Sequence, residues 1–237
     1  MTPRTPIWKA IATSLRSDIA EGLYVAGDKL PTEAVLATRF DVNRHTVRHA
    51  LAALADESIV HARRGSGVFV TTTPTDYPIG RRVRFHQNLR AAGLTPARKI
   101  LLLETRTAHG SEADALKLER GVQVHVYEGL SLSEGRPIAL FRSVFPAVRF
   151  TNLLIHLAAD PSITAVLRQF GVWDYTRAST RVNAKLATAT QALHLQIAEH
   201  APVLRTIGLN VDTHDVPIEI GRTWFAGDKV TLTLADV

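Results

Sequence analysis

The stretch FDVNRHTVRHALAAL, residues 40–54, decides the fold of the amino-terminal part of the chain. Asn43 can begin a helix here, because its side-chain oxygen can accept a hydrogen bond from a backbone N–H of the first turn. The apolar residues recur at helical spacing and form an inner stripe of Val47, Ala50, Leu51 and Leu54. The outer stripe is polar and basic, and it consists of Arg44, His45, Arg48 and His49.

Two further helices are predicted before this one. In residues 7–22 isoleucine and leucine recur at steps of four, and the segment ends with a glycine that can stop a helix. In TEAVLATRF, residues 32–40, Thr32 is a natural N-cap for a short second helix. Only Asp41 and Val42 separate that helix from the next one, so the two are joined by a tight turn.

A short helix, a tight turn and a helix with a polar leading edge are typical of a protein that reads DNA in the major groove. Arginines at 44 and 48 can bond a guanine edge or a phosphate, and Thr46 can reach a phosphate oxygen. In SIVHARRGSGVFVTT, residues 58–72, β-forming residues flank a glycine-bearing tip, which predicts a hairpin with Arg63 and Arg64 at a basic wing. A solvated helix face is the plainer alternative, but the three features together favour DNA.

A metal site is the other interpretation of this helix, because His45 and His49 lie four residues apart and share a face. The segment lacks the glutamate of an H-E-x-x-H frame, and two arginines on the same surface would repel a dication. We therefore expect no metal here, and His49 keeps no assigned role.

Composition limits the remaining classes of function. The chain has 237 residues, a formal net charge of +6, a pI near 10.0 and no cysteine. This size favours two domains, the charge suits a polyanionic partner, and the lack of cysteine rules out disulfides, thiolate metal sites and cysteine nucleophiles. With no signal-like segment and no apolar run of about 20 residues, we expect a cytoplasmic protein without a membrane partner.

The second half has a different pattern. TTTPTDYPIG, residues 71–80, is rich in threonine and proline, so we expect a DNA-binding domain over 1–72, a linker over 73–84 and a second domain over 85–237. Short helices are predicted near 84–92, 111–118, 162–170 and 188–195. They alternate with seven extended segments near 98–106, 122–132, 137–145, 177–184, 203–212, 217–225 and 230–234. The joints SEGRP and DTHDVP look like hairpin turns, which predicts an α+β domain with an antiparallel sheet.

Residues 6–70 resemble the winged-helix domain of GntR-type bacterial transcription regulators. The resemblance lies in GLYVAGDKLPTEAVLA, VNRHTVRHALAAL and RRGSGVFV. It implies a set of DNA-contacting residues at the start of helix two, on the recognition helix and at the wing: Thr32, Asn43, Arg44, His45, Thr46, Arg48, Arg64 and Gly65, with Arg63 beside them. One position departs from the family, because Ala34 stands where many members have an arginine.

Residues 85–237 resemble the UTRA sensing domain of the HutC branch, which has a chorismate-lyase-like fold. LSLSEGRPIALFRSVFP and PVLRTIGLNVDTHDVPIEIGRTWFAGDKVTL carry this resemblance, and FGVWDYTRASTRVNA is particularly similar to regulators of phosphonate utilisation. Such proteins are typically homodimers that repress genes for phosphonate uptake and cleavage at palindromic operators, and a small effector releases them. We expect no cofactor and no enzymatic activity, because the chain has no convincing acid–base pair and no known catalytic motif.

An anionic effector needs positive charge in a partly enclosed site, and a guanidinium can bind two of its oxygens at once. The candidates in the second half are Arg142, Arg177, Ser179, Thr180, Arg181 and Arg222. Resemblance adds Glu219 and Phe225 on the penultimate strand, with Glu219 placed to meet an amine or hydroxyl. Ser131 and Phe141 depart from the branch, which often has an arginine and an acid there, so a sugar-phosphate mode of binding is not expected.

Three alternatives stay open beside this interpretation. The strand arginines can instead be outward side chains paired with carboxylates, and Trp173, Trp224 and Phe225 can serve the core. The effector can instead be an amino sugar phosphate or an amino-acid catabolite. A chorismate-lyase-like enzyme is the remote alternative, but the chain has no nucleophile elbow and no phosphate-cradling loop.

Overall fold

The computed structural model describes residues 6–63, 65–71, 74–82, 89–90 and 93–234. The chain divides into two units, Met1–Thr73 and Pro74–Val237, and each is described by itself.

The first unit is a winged helix-turn-helix. Its helices are α1 (Ile7–Ala20), α2 (Glu33–Phe40) and α3 (Arg44–Asp56), and its wing is the antiparallel pair β1 (Val60–Arg63) and β2 (Gly67–Val70). Both predicted caps are present. Thr32 Oγ1 accepts from Val35 N at 3.4 Å, and Asn43 Oδ1 accepts from Thr46 N at 2.9 Å. Asp41 adopts a left-handed conformation with φ 50°, which makes the turn between α2 and α3 as tight as the spacing predicts.

The apolar stripe of α3 forms the centre of this unit's core. Leu15 of α1, Leu36 of α2 and Leu54 of α3 are completely buried. Burial of the inner stripe fixes the rotation of α3 about its axis, so the outer stripe must face away from the core. The core residues are Ile11, Ala12, Leu15, Leu30, Leu36, Val47, Ala50, Leu51, Leu54, Val60 and Val70.

The second unit is an α+β domain built on a six-stranded antiparallel sheet, as the hairpin turns predict. Its strands are β4 (Pro96–Thr107), β5 (Gln123–Ser133), β6 (Arg136–Pro146), β7 (Tyr175–Leu186), β8 (Pro202–Asp212) and β9 (Pro217–Ala226). They lie in the order β4-β5-β6-β9-β8-β7. Glu134 and Gly135 both have positive φ in the turn between β5 and β6, which matches the right-handed twist of a hairpin.

Helices cover both faces of this sheet. They are α4 (Gly110–Leu116), α5 (Leu153–Ala159), α6 (Ile163–Gln169) and α7 (Ala189–Leu195), of which α5 was not predicted from the sequence. On one face α5 and α6 pack against Tyr127, Phe141 and Phe145. On the other face α4 packs with Val144 and Ile220.

Two of the three aromatic residues that could serve the core do so. Phe225 is buried, and Trp224 packs against the cluster around α7. Trp173 differs, because its side chain is 74% exposed in the loop before β7. No helix among the residues described above is long and apolar enough to span a membrane.

The expected linker over 73–84 needs correction. Its residues Thr75–Pro78 form a strand, β3, that pairs in parallel with β10 (Val230–Thr233), and both belong to the second unit. Tyr77 anchors β3, because it is buried and packs on Phe225 at a ring distance of 5.0 Å. Most of the helix predicted at 84–92 lies outside the described residues, and residues 89 and 90 are helical.

Two carboxylates of the second unit, Glu112 and Asp212, have lowered pKa values. Glu112 is 1% exposed, and burial opposes its ionisation, but hydrogen bonds from Arg106 at 2.8 and 2.9 Å and from His109 N at 3.0 Å outweigh this. Its pKa therefore lies below the ordinary 4.5. The pKa of Asp212 also lies below its ordinary value of 3.8. Burial raises it, but hydrogen bonds from Arg149 and two backbone N–H groups lower it by more.

We expect the melting temperature of the chain to fall as the pH is lowered through the range of these carboxyl groups. A folded-state pKa below the unfolded value stabilises the fold above the unfolded pKa, and this contribution is lost as the pH falls through the folded pKa. Scanning calorimetry between pH 7 and pH 3 measures the effect. Glu112→Gln should show a smaller loss over that interval than the parent protein, and an equal loss in both would mean that Glu112 contributes nothing.

Candidate nucleic-acid interface and ligand cavity

The outer stripe of α3 presents a basic surface to solvent. Arg44, His45 and Arg48 are all exposed, and they occupy the first turn and a half of the helix. Asn43 and Thr46 are engaged with each other, because Asn43 Oδ1 accepts from both the N–H and the hydroxyl of Thr46, at 2.9 and 3.0 Å. The Asn43 N–H₂ group can donate to a phosphate oxygen, whereas the hydroxyl proton of Thr46 is already donated to Asn43.

Arg48 forms an ion pair with Glu33 that no pattern in the sequence indicates. Its guanidinium binds both carboxylate oxygens of Glu33, at 2.9 and 2.6 Å. The hydrogen bond from Arg48 lowers the pKa of Glu33. This pair joins α3 to the first turn of α2, so the Arg48 side chain is more restricted in direction than a guanidinium with no such partner.

The wing adds a second basic element. Gly65 and Gly67 have φ values of 72° and 116°, which favour glycine at the tip. Arg63 lies 4.6 Å from the ring of Phe69, and its Nε donates to His61 Nε2 at 3.1 Å. Arg64, the other predicted wing residue, lies outside the described residues.

Lys29 belongs to this surface although it lies far from the wing in sequence. It forms an isolated β-bridge with Phe69, and a Cβ on Gly67 would lie only 2.8 Å from Lys29 Cε. The exposed Lys29 side chain therefore runs across the wing beside Gly67, and a larger residue at position 67 would displace it. The residues 22–31 that carry Lys29 have no helical or strand period, so no sequence pattern pointed to it.

His49 gains a structural role. Its ring stacks on Trp8 with centroids 4.2 Å apart and an angle of 21° between the planes, which fastens α3 to the start of α1. Within the described parts of the chain, no three histidine, aspartate or glutamate side chains form a group that could hold a metal ion.

The second unit contains a cavity of about 400 Å³ between the sheet and the α6 segment. Four arginines line it against two acids: Arg90, Arg98, Arg168 and Arg177 against Asp160 and Glu219. Aromatic walls come from Tyr77, Phe141, Tyr175 and Phe225. The excess of guanidinium groups makes this cavity suited to an anion.

A chain of hydrogen bonds crosses the floor of the cavity. Arg177 Nε donates to Asn210 Oδ1 at 2.7 Å, Asn210 Nδ2 donates to Glu219 Oε2 at 2.7 Å, and Ser143 Oγ donates to Glu219 Oε1 at 2.6 Å. Gly208 makes room for the arginine, because a Cβ there would lie 1.7 Å from Arg177 Nη1. Arg177 and Glu219 are thus each held in a defined direction.

The aromatic residues of the cavity also bear on its electrostatics. Arg98 lies over the ring of Phe141, 4.6 Å from its centre. Burial raises the pKa of Tyr77 to about 12, although Arg98 and Arg177 act in the opposite direction. Tyr77 is therefore a neutral hydrogen-bonding group at any physiological pH.

The predicted effector residues divide between the two faces of the sheet. Arg177, Glu219 and Phe225 line the cavity. Arg142 and Arg222 instead point to the opposite face, beside Val144 and Ile220, and Arg142 forms an ion pair with Glu128 there.

A β-bulge explains why Ser179 and Arg181 are also displaced. Arg177 pairs with Asn210, but Ser179 pairs with Leu209, so Ala178 is an extra residue in the strand. Without the bulge, residues 177, 179 and 181 would share one face; with it, 179 and 181 turn to the face opposite the cavity. Thr180 pairs with Gly208 on the cavity side but does not line the cavity.

Several cavity residues were missed. Arg98 lies on a predicted strand and Arg168 on a predicted helix, but nothing in the sequence indicates which strands and helices become neighbours. Tyr77 was assigned to a linker. The pairing of β4 with β5 places Arg98 in the sheet, and the pairing of β3 with β10 places Tyr77 in the second unit.

Both units are similar to known protein families. Residues 8–70 match the model of bacterial regulatory proteins of the gntR family, and residues 91–231 match the model of the UTRA domain. An HTH-type transcriptional regulator of Rhizobium meliloti (strain 1021) is 36% identical over 96% of this chain and 94% of its own. The probable transcriptional regulator PhnF of Escherichia coli (strain K12) is 32% identical over the same shares. The crystal structure of PhnF from Mycobacterium smegmatis, 27% identical, matches with a TM-score of 0.67 over 96% of this chain and 99% of that one.

Proposed function

We propose that this chain, which belongs to the gntR family of bacterial regulatory proteins and carries a UTRA domain, is a repressor that a small anionic effector releases from its operator. That it is a transcription regulator and not an enzyme follows from the family and from relatives aligned over nearly its whole length. The observation that carries the effector proposal is the cavity lined by four arginines.

The DNA side of the proposal rests on two basic elements of the first unit. Arg44 and His45 lead the recognition helix, while Lys29 and Arg63 lie on the wing. Recognition-helix side chains read base edges in the major groove, and wing cations bind phosphates or the minor groove. Acting as a homodimer, the protein would place two such units on half-sites about one helical turn or a multiple apart, so the operator would be palindromic.

Replacing Arg44 with alanine should lower operator affinity by about 1 to 3 kcal/mol, the usual value of an arginine contact to a base. Fluorescence anisotropy on a labelled fragment from upstream of the protein's own gene measures this. Arg120→Ala is the matched control, because it removes the same charge from an exposed loop of the second unit. Equal affinity of the two variants would remove Arg44 from the DNA surface.

The effector side rests on the chemistry of the cavity. Guanidinium groups bind phosphonate and phosphate oxygens in pairs, and Arg177 is already held in place by Asn210. The volume of about 400 Å³ is in the range for small-molecule sites. Together with the similarity of FGVWDYTRASTRVNA to regulators of phosphonate utilisation, this supports an effector with a phosphorus oxyanion and target genes for phosphonate uptake and cleavage.

A route for the signal is supported by the start of the second unit. Tyr77 lines the cavity from β3, four residues after the boundary between the units. In addition, Arg177 N donates to Arg81 O at 2.8 Å. A ligand that moves Arg177 or Tyr77 would act directly on the segment that leads to the DNA-binding unit, and only a difference in affinity between two arrangements can drive release.

A thermal-shift panel of phosphonates, phosphate esters and amino-acid catabolites tests the class of effector. A ligand that binds the native state raises the melting temperature by mass action. We expect a rise with compounds that contain a phosphorus oxyanion. A rise with amino-acid catabolites alone would contradict the phosphonate assignment and favour another kind of effector.

A further inference from the structure

The carboxylate of Glu219 is an unusual group to find in a cavity for anions. It is 6% exposed, and both of its oxygens accept hydrogen bonds from neutral groups, Ser143 and Asn210. It forms no salt bridge with any residue that the structure describes. A buried carboxylate is costly unless a cation pairs with it, and the hydrogen bonds found for Glu219 come only from Ser143 and Asn210, so a cationic group of a ligand would find a direct partner here.

The ligand can supply that charge. Arg98, Arg168 and Arg177 attract an anion to this cavity, but Glu219 would repel a ligand that carries only negative charge. An ammonium group on the same ligand turns this repulsion into a charge-assisted hydrogen bond. We propose that the effector is a zwitterion, with a protonated amine that contacts Glu219 and a phosphorus oxyanion that contacts Arg177; this rests on the proposed function.

The spacing of the two charged groups limits the length of the ligand. Asn210 bonds Arg177 Nε through its oxygen and Glu219 Oε2 through its nitrogen, each at 2.7 Å. A single amide, that of Asn210, thus separates Arg177 from Glu219. A ligand that meets both at once needs only a short chain between its amine and its phosphorus, as in a small aminoalkylphosphonate or in the phosphate ester of a small amino alcohol.

The test compares ligands that differ in one group. Isothermal titration calorimetry on the full chain would use 2-aminoethylphosphonate, ethylphosphonate, which lacks the amine, and O-phosphoethanolamine, which replaces the carbon–phosphorus bond with an ester. We expect 2-aminoethylphosphonate to bind at least about tenfold more tightly than ethylphosphonate, as one charged hydrogen bond implies. Tighter binding of O-phosphoethanolamine than of 2-aminoethylphosphonate would identify the ester as the source.

Glu219→Gln should abolish this preference, bringing the ratio of the two dissociation constants close to one while ethylphosphonate still binds. Glu128→Gln is the control, because it makes the same change on the other face of the sheet and should keep the preference. The comparison of ligands on the parent protein stands even where a variant folds poorly.

The outcomes separate the two proposals. Equal binding of 2-aminoethylphosphonate and ethylphosphonate to the parent protein would overturn the zwitterion and leave an anionic effector in place. A preference that persists in Glu219→Gln would remove Glu219 as the partner of the amine. Failure of every phosphorus compound to bind would overturn the proposed effector class as well.

Discussion

Arg177→Ala should weaken effector binding by about 10- to 100-fold, since a hydrogen bond to a charged group contributes about 1.5 to 3 kcal/mol. The variant removes the cavity guanidinium that Asn210 holds in place and leaves Asn210 Oδ1 without its donor. Calorimetry with the phosphorus compound that gives the largest thermal shift measures the loss. Operator affinity without effector should stay unchanged, because the substitution lies in the second unit.

Arg181→Ala is the matched control for that variant. It removes an arginine from the same strand, only four positions along, but the bulge at Ala178 turns residue 181 to the other face. Effector binding should be normal. The reverse result, with binding lost in Arg181→Ala and kept in Arg177→Ala, would place the site on the opposite face of the sheet.

Leu54→Ala should lower the free energy of unfolding of the first unit by about 2 to 5 kcal/mol, the cost of a cavity at a fully buried leucine. Leu54 ends the inner stripe of α3, so its loss weakens the packing that directs Arg44 and His45 outward. Scanning calorimetry should show one unfolding transition at a lower temperature than in the parent protein, and the affinity for the operator should fall as well. Effector binding should persist.

Leu23→Ala makes the same change at a leucine of the first unit that is 63% exposed. It should alter stability by no more than about 0.5 kcal/mol. Equal destabilisation by Leu23→Ala and Leu54→Ala would contradict the role given to the apolar stripe.

The helices of the first unit could be predicted from short-range patterns in the sequence. The caps at Thr32 and Asn43 and the spacing of apolar residues in α3 depend on neighbours within a few positions, and these could be predicted. The bond between Arg48 and Glu33 joins residues on two helices, so only the packed structure shows it. The position of Lys29 on the wing is of the same kind.

Less of the second unit could be predicted from the sequence. Its strands and the antiparallel class followed from hairpin turns and β-forming runs, but the face on which a side chain lies depends on register. One extra residue, Ala178, reversed the assignment of Ser179 and Arg181. The strand at Thr75–Pro78 was hidden for another reason, since it pairs with β10, more than 150 residues later in the chain.

The central claim, that occupancy of the arginine-lined cavity releases DNA, has a direct test. The full chain is bound to a labelled DNA fragment from upstream of its own gene, and fluorescence anisotropy is followed while 2-aminoethylphosphonate or ethylphosphonate is added. We expect the anisotropy to fall to the value of free DNA with the parent protein and with Arg181→Ala, and to stay high with Arg177→Ala at the same concentrations. Anisotropy that stays high, or rises, with the parent protein saturated by a ligand shown to bind it would contradict the account.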